Sequence, residues 1–123
     1  MRSKRRTNTW SSSVPITVNT NEVKMNFISL TYSLNTEHTT YDWVEFLHAF
    51  KALGDWHHPI EPMWFLCTEL TADEVYQKIT NVADKCFEIY HITEFNPRNM
   101  HGCLLSKTWA WIKEKVDKVY GPS

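Results

Sequence analysis

Along residues 26–121, apolar side chains follow two different spacings, and segments of one kind are followed by segments of the other. Residues 26–33 place apolar side chains at every second position, which is typical of a half-buried strand. Residues 43–53 repeat them at three- and four-residue spacing, the pattern of an amphipathic helix. Both patterns recur further along the chain, so the predicted order of elements is β-α-β-β-α-β-α.

The two long helices share one start signature. Thr39 with Asp42, and Thr71 with Glu74, have the spacing of a capping box, in which the two residues bond each other's backbone N–H. Gly54 predicts the end of the first helix, because glycine readily adopts the left-handed conformation that terminates helices. Predicted strands occupy residues 26–33, 56–60, 63–67 and 86–93. A last helix is expected after Ser106, with an inward face of Trp109, Ile112, Val116 and Val119.

This order predicts an α+β protein with a ferredoxin-like βαββαβ plait and an additional C-terminal helix. In that plait two helices cover one face of a four-stranded sheet. No stretch approaches the roughly 18 apolar residues of a membrane span, so we expect no membrane partner. Of the three cysteines, Cys67 and Cys86 lie in apolar runs and are expected to be buried, reduced thiols. Reduced thiols favour the cytoplasm.

Charge divides the 123-residue chain into two parts. Residues 1–24 are rich in Ser and Thr, carry a net charge of +4 and are predicted to be a flexible basic tail. Residues 25–121 are predicted to form a single domain. Because residues 25–123 hold 8 basic and 13 acidic side chains, the domain is a poor candidate for following a phosphate backbone.

The sheet face opposite the two helices is predicted to be open. It is expected to carry a mixed aromatic and polar set, namely Phe27, Ser29, Thr31, Glu88 and Tyr90. Exposed apolar patches usually mark contacts, and a two-fold dimer is the commonest closed assembly. We therefore predict a homodimer formed through this face.

Several short motifs together resemble a known family. They are residues 30–35 (LTYSLN), 50–54 (FKALG), 63–66 (MWFL), 70–75 (LTADEV) and 84–90 (DKCFEIY). In this order and spacing, residues 25–119 resemble the small bacterial proteins of the SinR family. The segment is also similar, more distantly, to the VapD toxins and to CRISPR-associated protein two. This resemblance implies a ferredoxin-like homodimer and suggests defence or mobile-element biology.

The resemblance also implies a catalytic position. In the VapD and CRISPR-associated relatives, an Asp after a Tyr at the end of the first strand is linked to metal-dependent cleavage of RNA or DNA. The matching pair here is Tyr32-Ser33, so Ser33 stands where the carboxylate is expected. Since Mg²⁺ prefers charged oxygen ligands, the resemblance implies a degraded nuclease site.

Other polar residues are candidates for binding or catalysis. His38 could serve as a general base for metal-free RNA cleavage, because imidazole titrates near neutral pH. Tyr32 and Asn35 are binding candidates at the end of the first strand. Arg98 and His101, in the polar loop before the last helix, could contact phosphate or a partner protein.

These observations favour a homodimeric binding protein that acts on RNA, DNA or a protein partner. A metal-dependent endoribonuclease that uses a carboxylate other than the missing Asp is one alternative. A regulatory or anti-defence interaction module is the other. We expect no metal site and no cofactor, with Mg²⁺ or Mn²⁺ required only by the endoribonuclease.

Overall fold

The structure is a computed structural model that describes residues 24–121. The predicted tail, residues 1–24, lies outside the described residues apart from Lys24. The described helices and strands are β1 (Asn26–Leu34), α1 (Thr40–Lys51), β2 (Asp55–Ile60), β3 (Met63–Thr68), α2 (Ala72–Cys86), β4 (Phe87–Phe95) and α3 (Ser106–Tyr120).

The four strands form one antiparallel sheet in the order β2-β3-β1-β4. Helices α1 and α2 pack on one face of this sheet and against each other. The predicted α+β class and ferredoxin-like plait with an added C-terminal helix are therefore confirmed. The face covered by α1 and α2 is called the helix face below, and the opposite one the second face.

Both predicted capping boxes are present. The Thr39 side chain accepts from the Asp42 N–H, and the Asp42 carboxylate accepts from the Thr39 N–H, each at 3.0 Å. The box of Thr71 with Glu74 is closed in the same way. These boxes pair two of the backbone N–H groups that each helix start otherwise leaves without a partner.

The predicted role of Gly54 is wrong. Helix α1 ends at Lys51, and Gly54 does not have a positive φ angle. What requires glycine here is space, since a Cβ atom would lie 2.4 Å from the backbone oxygen of Cys67. The chain that follows α1 thus passes directly against β3 at Gly54.

Aromatic side chains dominate the core on the helix face. Phe46, Phe50 and Phe87 are fully buried, and the rings of Phe46 and Phe87 meet edge to face with centroids 4.8 Å apart. Cys67 and Cys86 are buried free thiols, as predicted. Burial raises the pKa of Cys86 to about 11, so this thiol stays protonated.

A bulge near the start of β4 overturns the predicted position of Tyr90. Ser33 pairs with Ile89, whereas Leu34 pairs with Phe87, so Glu88 is an extra residue that has no counterpart on β1. The extra residue shifts the alternation. Tyr90 therefore pairs with Tyr32 on the helix face, and half-buried Glu88 sits at the bulge. Neither lies in the regular row of the second face that was predicted.

Helix α3 covers part of the second face, which was predicted to be open. Phe27 is only 2% exposed, because it belongs to an aromatic cluster with Phe95, Phe65 and the α3 residue Trp111. The prediction that Phe27 faces a partner is therefore wrong.

The inward side of α3 is more polar than predicted. Ile112 is buried, but the buried residues beside it are Thr108 and Lys115, whereas Trp109, Val116 and Val119 are only half-buried. Thr108 Oγ1 lies 2.8 Å from His57 Nε2. Lys115 Nζ donates to Asp55 at 3.1 Å. These contacts attach α3 to the edge strand β2.

Candidate functional site

The end of β1 separates the two residues singled out by the family resemblance. The Tyr32 side chain lies on the helix face, where it is 6% exposed and stacks on Phe87 with centroids 4.4 Å apart. Ser33 is exposed and pairs with Ile89 on the second face. Tyr32 and Ser33 therefore point to opposite sides of the sheet and do not form one site.

A carboxylate does reach the end of β1, but it comes from Glu61 in the turn between β2 and β3. The Tyr32 hydroxyl donates to both carboxylate oxygens, at 2.6 and 2.7 Å. The Tyr32 N–H also donates to the Pro62 carbonyl at 3.2 Å, which holds the turn against β1. Burial, and then the bond to Glu61, raise the pKa of Tyr32 far above its usual value, so the hydroxyl stays protonated.

His58 and Trp64 complete this group, which we call the Tyr32 cluster (Tyr32, His58, Glu61 and Trp64). The imidazole lies flat on the indole of Trp64, with centroids 4.1 Å apart and planes 9° apart. Its Nε2 atom is 2.7 Å from a Glu61 oxygen. That separation suits an ion pair when the imidazole is protonated.

An exposed aromatic surface adjoins the cluster on the edge strand β2. Trp56 is 40% exposed, and its ring centroid is 5.6 Å from that of Trp64. The ammonium of Lys51, at the end of α1, lies 4.2 Å from the Trp56 centroid. We call Trp56 and Lys51 the Trp56 platform. The platform faces the side of α1 because Trp56 pairs with the core residue Leu66.

The loop after β1 holds two of the predicted residues in local contacts. The Asn35 N–H donates to the Cys86 carbonyl at 2.7 Å, and the Asn35 side chain accepts from the Glu37 N–H. His38 Nδ1 lies 2.6 Å from the Asn35 carbonyl. This imidazole nitrogen is therefore engaged in fixing the loop.

The polar loop before α3 places Arg98 and His101 at the surface. The Arg98 guanidinium lies 3.8 Å from the ring centroid of Tyr120, near the end of α3. His101 is exposed. Neither side chain belongs to the Tyr32 cluster or to the Trp56 platform.

The part of the second face that α3 leaves open carries a row of residues across the sheet. Ile60 pairs with Met63, Met63 with Thr31, and Thr31 with His91. Ile60 is 61% exposed and Ile89 is 59% exposed. We call this surface the open patch (Thr31, Ile60, Met63, Ile89 and His91). Ser29, also predicted here, is half-buried and pairs with Phe65, nearer to the part under α3.

Sequence reasoning missed Glu61, Trp64 and the Trp56 platform as functional candidates. Glu61 lies between the predicted strands 56–60 and 63–67, and Trp64 lies within the second of them, so neither was singled out. One available signal was the high density of aromatic and titratable residues in 56–64, which contains two Trp, two His and one Glu. The contact from Glu61 to Tyr32, 29 residues apart, depends on the fold.

No group of three His, Cys, Asp or Glu side chains suited to a metal ion occurs within residues 24–121. In the same range, no helix is long and apolar enough to cross a membrane. No protein-family model, curated protein or solved structure matches the chain.

Proposed function

We propose that this chain binds single-stranded nucleic acid and that an unpaired base stacks on Trp56. The observation that carries the proposal is the Trp56 platform, in which a 40% exposed indole lies under the Lys51 ammonium at 4.2 Å. Proteins that bind single strands combine aromatic rings for the bases with cations for the backbone.

The energies favour a base over the lysine as the neighbour of the ring. An exposed cation–π contact stabilises by about 0.5–1 kcal/mol, whereas stacking of a base on an aromatic side chain contributes about 1–3 kcal/mol. A base can therefore displace Lys51 from the indole. The displaced ammonium, on a flexible stem, then has a phosphate within its reach.

The acidic balance of the domain limits the kind of binding. With 8 basic and 13 acidic residues in 25–123, an extended contact to many phosphates is disfavoured. Stacking needs no such surface, because every base has a π-face. The proposal is thus for a local contact that involves one or two nucleotides of a single strand.

Replacing Trp56 by Ala is expected to weaken binding of a short single strand by about 10- to 100-fold, because the stacking surface is lost. Lys51→Ala is expected to weaken it less and to reduce the slope of log Kd against log salt by about 0.7, the value for one phosphate contact. Fluorescence anisotropy of a labelled oligonucleotide across a salt series measures both. Tyr41→Ala, which removes a 71% exposed ring elsewhere on α1, is the control and should change neither.

The same binding experiment separates the alternatives. Equal affinities of the native chain and Trp56→Ala would contradict the platform as the contact site. Cleavage of RNA in Mg²⁺ or Mn²⁺ that stops with EDTA would instead support the metal-dependent endoribonuclease. If no nucleic acid binds, the interaction module with a protein partner becomes the better explanation.

The homodimer is the second part of the proposal, and the open patch is its contact surface. Two exposed isoleucines on one sheet face, Ile60 and Ile89, are an apolar surface of the kind that two copies can bury. Helix α3 already covers the other part of this face, so the contact is smaller than a whole sheet face.

We expect Ile89→Asp to shift the chain from dimer to monomer, because the contact would bury an unpaired carboxylate. Sedimentation equilibrium gives the mass of both proteins at matched concentration. Val44→Asp, on the outer side of α1 and 43% exposed, is the matched control and should remain dimeric. A native chain that is monomeric throughout the concentration series would contradict the dimer.

A further inference from the structure

Strand β4 forms the longer of the two outer edges of the sheet. The strand order is β2-β3-β1-β4, so β2 and β4 are the edge strands, and β4 pairs with β1 alone among residues 24–121. Native proteins protect such edges, because a row of backbone N–H and C=O groups can pair with a strand of another chain. The protection of the two edges differs.

The β2 edge has features that prevent strand pairing, and most of them are missing from β4. β2 has six residues, contains Pro59 and contacts α3. β4 has nine residues and contains neither Pro nor Lys. Its bulge lies near its start, at Glu88, and the carboxylate of Glu94 is bonded to the Ala72 N–H at the start of α2. The regular part of β4, residues 91–95, is therefore an edge that can receive one more strand.

A row of core side chains also ends at this edge. Trp64, Leu30 and Ile92 lie side by side across β3, β1 and β4 on the helix face. Trp64 is 4% and Leu30 is 0% exposed, whereas Ile92 is only half-buried. An apolar side chain on a further strand would continue the row and bury the rest of Ile92.

The chain has one segment with the matching pattern ahead of the described residues. Residues 14–18 (VPITV) place apolar side chains at positions 14, 16 and 18, the alternation of a half-buried strand. Pro15 cannot donate to a neighbouring strand, which restricts such a segment to the edge of a sheet. The segment has five residues, as does the regular part of β4.

The connection is long enough for this segment to reach β4 of the same chain. Residues 19–25 separate it from the start of β1, and an extended chain spans up to about 3.3 Å per residue. Because Phe27 pairs with Phe95, β1 starts beside the end of β4. The outer side of β4 is two strand spacings from β1, about 10 Å. The available reach is thus about twice what the connection needs.

The charges of the two parts are complementary. Residues 1–24 carry a net charge of +4, and four of their basic side chains lie in residues 2–6. Helix α2 and strand β4, residues 72–95, hold five acidic and two basic side chains. Opposite charges favour the approach of the N-terminal segment to this side of the domain.

We infer that residues 14–18 add a fifth strand to the sheet by pairing with residues 91–95 at the outer edge of β4. The three apolar side chains of the segment then lie on the helix face beside Ile92, and Thr17 lies on the second face. The Trp56 platform is at the opposite edge of the sheet and stays uncovered. The inference is therefore independent of the proposed function.

Amide hydrogen exchange of the full chain, followed residue by residue by NMR, tests this pairing. In the native chain, the amides of residues 14–18, and those of 91–95 that do not pair with β1, should exchange at least about tenfold more slowly than in an unstructured peptide. Ile16→Asp would place a carboxylate in the buried row and should raise both sets of rates by about tenfold. Ser12→Asp makes the same change of charge outside the segment and should alter neither.

Exchange in β3, residues 63–68, should be the same in all three proteins, because the rest of the sheet does not depend on the added strand. If residues 14–18 of the native chain exchange as an unstructured peptide does, the inference is overturned. Protection of residues 91–95 that appears only at high chain concentration would also overturn it, since a second copy would then cover the edge. Unchanged rates in Ile16→Asp would have the same consequence.

Discussion

Phe46→Ala is expected to lower the free energy of unfolding by about 3–5 kcal/mol, the cost of removing a large aromatic side chain from a core. Phe46 is fully buried on α1. Its ring contacts those of Trp43, Phe50 and Phe87, with centroids 5.6, 5.6 and 4.8 Å away. These neighbours come from α1 and β4, so the cavity would open where the helix packs against the sheet.

Urea denaturation followed by circular dichroism measures this loss as a lower midpoint at an unchanged slope. Tyr41→Ala is the matched control, because it also replaces an aromatic residue of α1 but one that is 71% exposed. It should change the free energy of unfolding by less than about 0.5 kcal/mol. Similar losses for the two variants would mean that α1 does not present this side to the sheet.

The core around Phe46 could be predicted because its signals are local. The spacing of Phe46 and Phe50 indicates one face of a helix, and Thr39 with Asp42 marks where that helix begins. Alternation in Ile28, Leu30 and Tyr32 indicates which side of β1 is buried. Such signals need no knowledge of distant residues, which is why the order of elements and the plait followed from them.

The bulge in β4 could not be predicted from the same alternation. One extra residue, Glu88, moves Tyr90 to the helix face and leaves Ile89 on the second face, the reverse of the predicted arrangement. The sequence of a strand does not reveal a bulge, because a bulge is defined by how the strand pairs with its neighbour. The residues predicted for the dimer surface were therefore partly wrong, although the sheet itself was right.

The Tyr32 cluster shows a different reason for failure. Family resemblance directed attention to Ser33, the next residue in the chain, whereas the carboxylate beside Tyr32 comes from Glu61. The link between Tyr32 and Glu61 depends on β3 lying between β2 and β1, which places the β2–β3 turn at the end of β1. A contact of this kind becomes visible only once the strand order is known.

The placement of α3 escaped prediction because its buried side is held by polar contacts. An apolar stripe of Trp109, Ile112, Val116 and Val119 was expected. Of these only Ile112 is buried, and the other buried residues of the helix are Thr108 and Lys115. Burial lowers the pKa of His57, which favours the neutral imidazole that pairs with the Thr108 hydroxyl. When only hydrophobicity is considered, buried polar residues such as Thr108 and Lys115 are predicted to face the solvent.

Trp111→Ala is expected to detach α3 from the second face. The indole stacks on His57 with centroids 5.4 Å apart and on Phe65 at 6.3 Å, so it is the aromatic contact that joins the helix to β2 and β3. We expect the free energy of unfolding to fall by about 2–3 kcal/mol, below the cost at Phe46, because Trp111 is only half-buried. Exposure of Phe27 and Phe65 should increase binding of an apolar dye, and α3 should become sensitive to protease.

Lys118→Ala is the control for this variant, since it shortens an exposed side chain near the end of the same helix. It should leave dye binding and protease resistance unchanged. If Trp111→Ala behaves like the control, the aromatic stack does not hold α3, and the polar pairs of Thr108 and Lys115 must do so. If dye binding rises while α1 and the sheet keep their circular dichroism signal, α3 is a separable cover over Phe27. Without α3 in place, the second face would then be open, as predicted from the sequence.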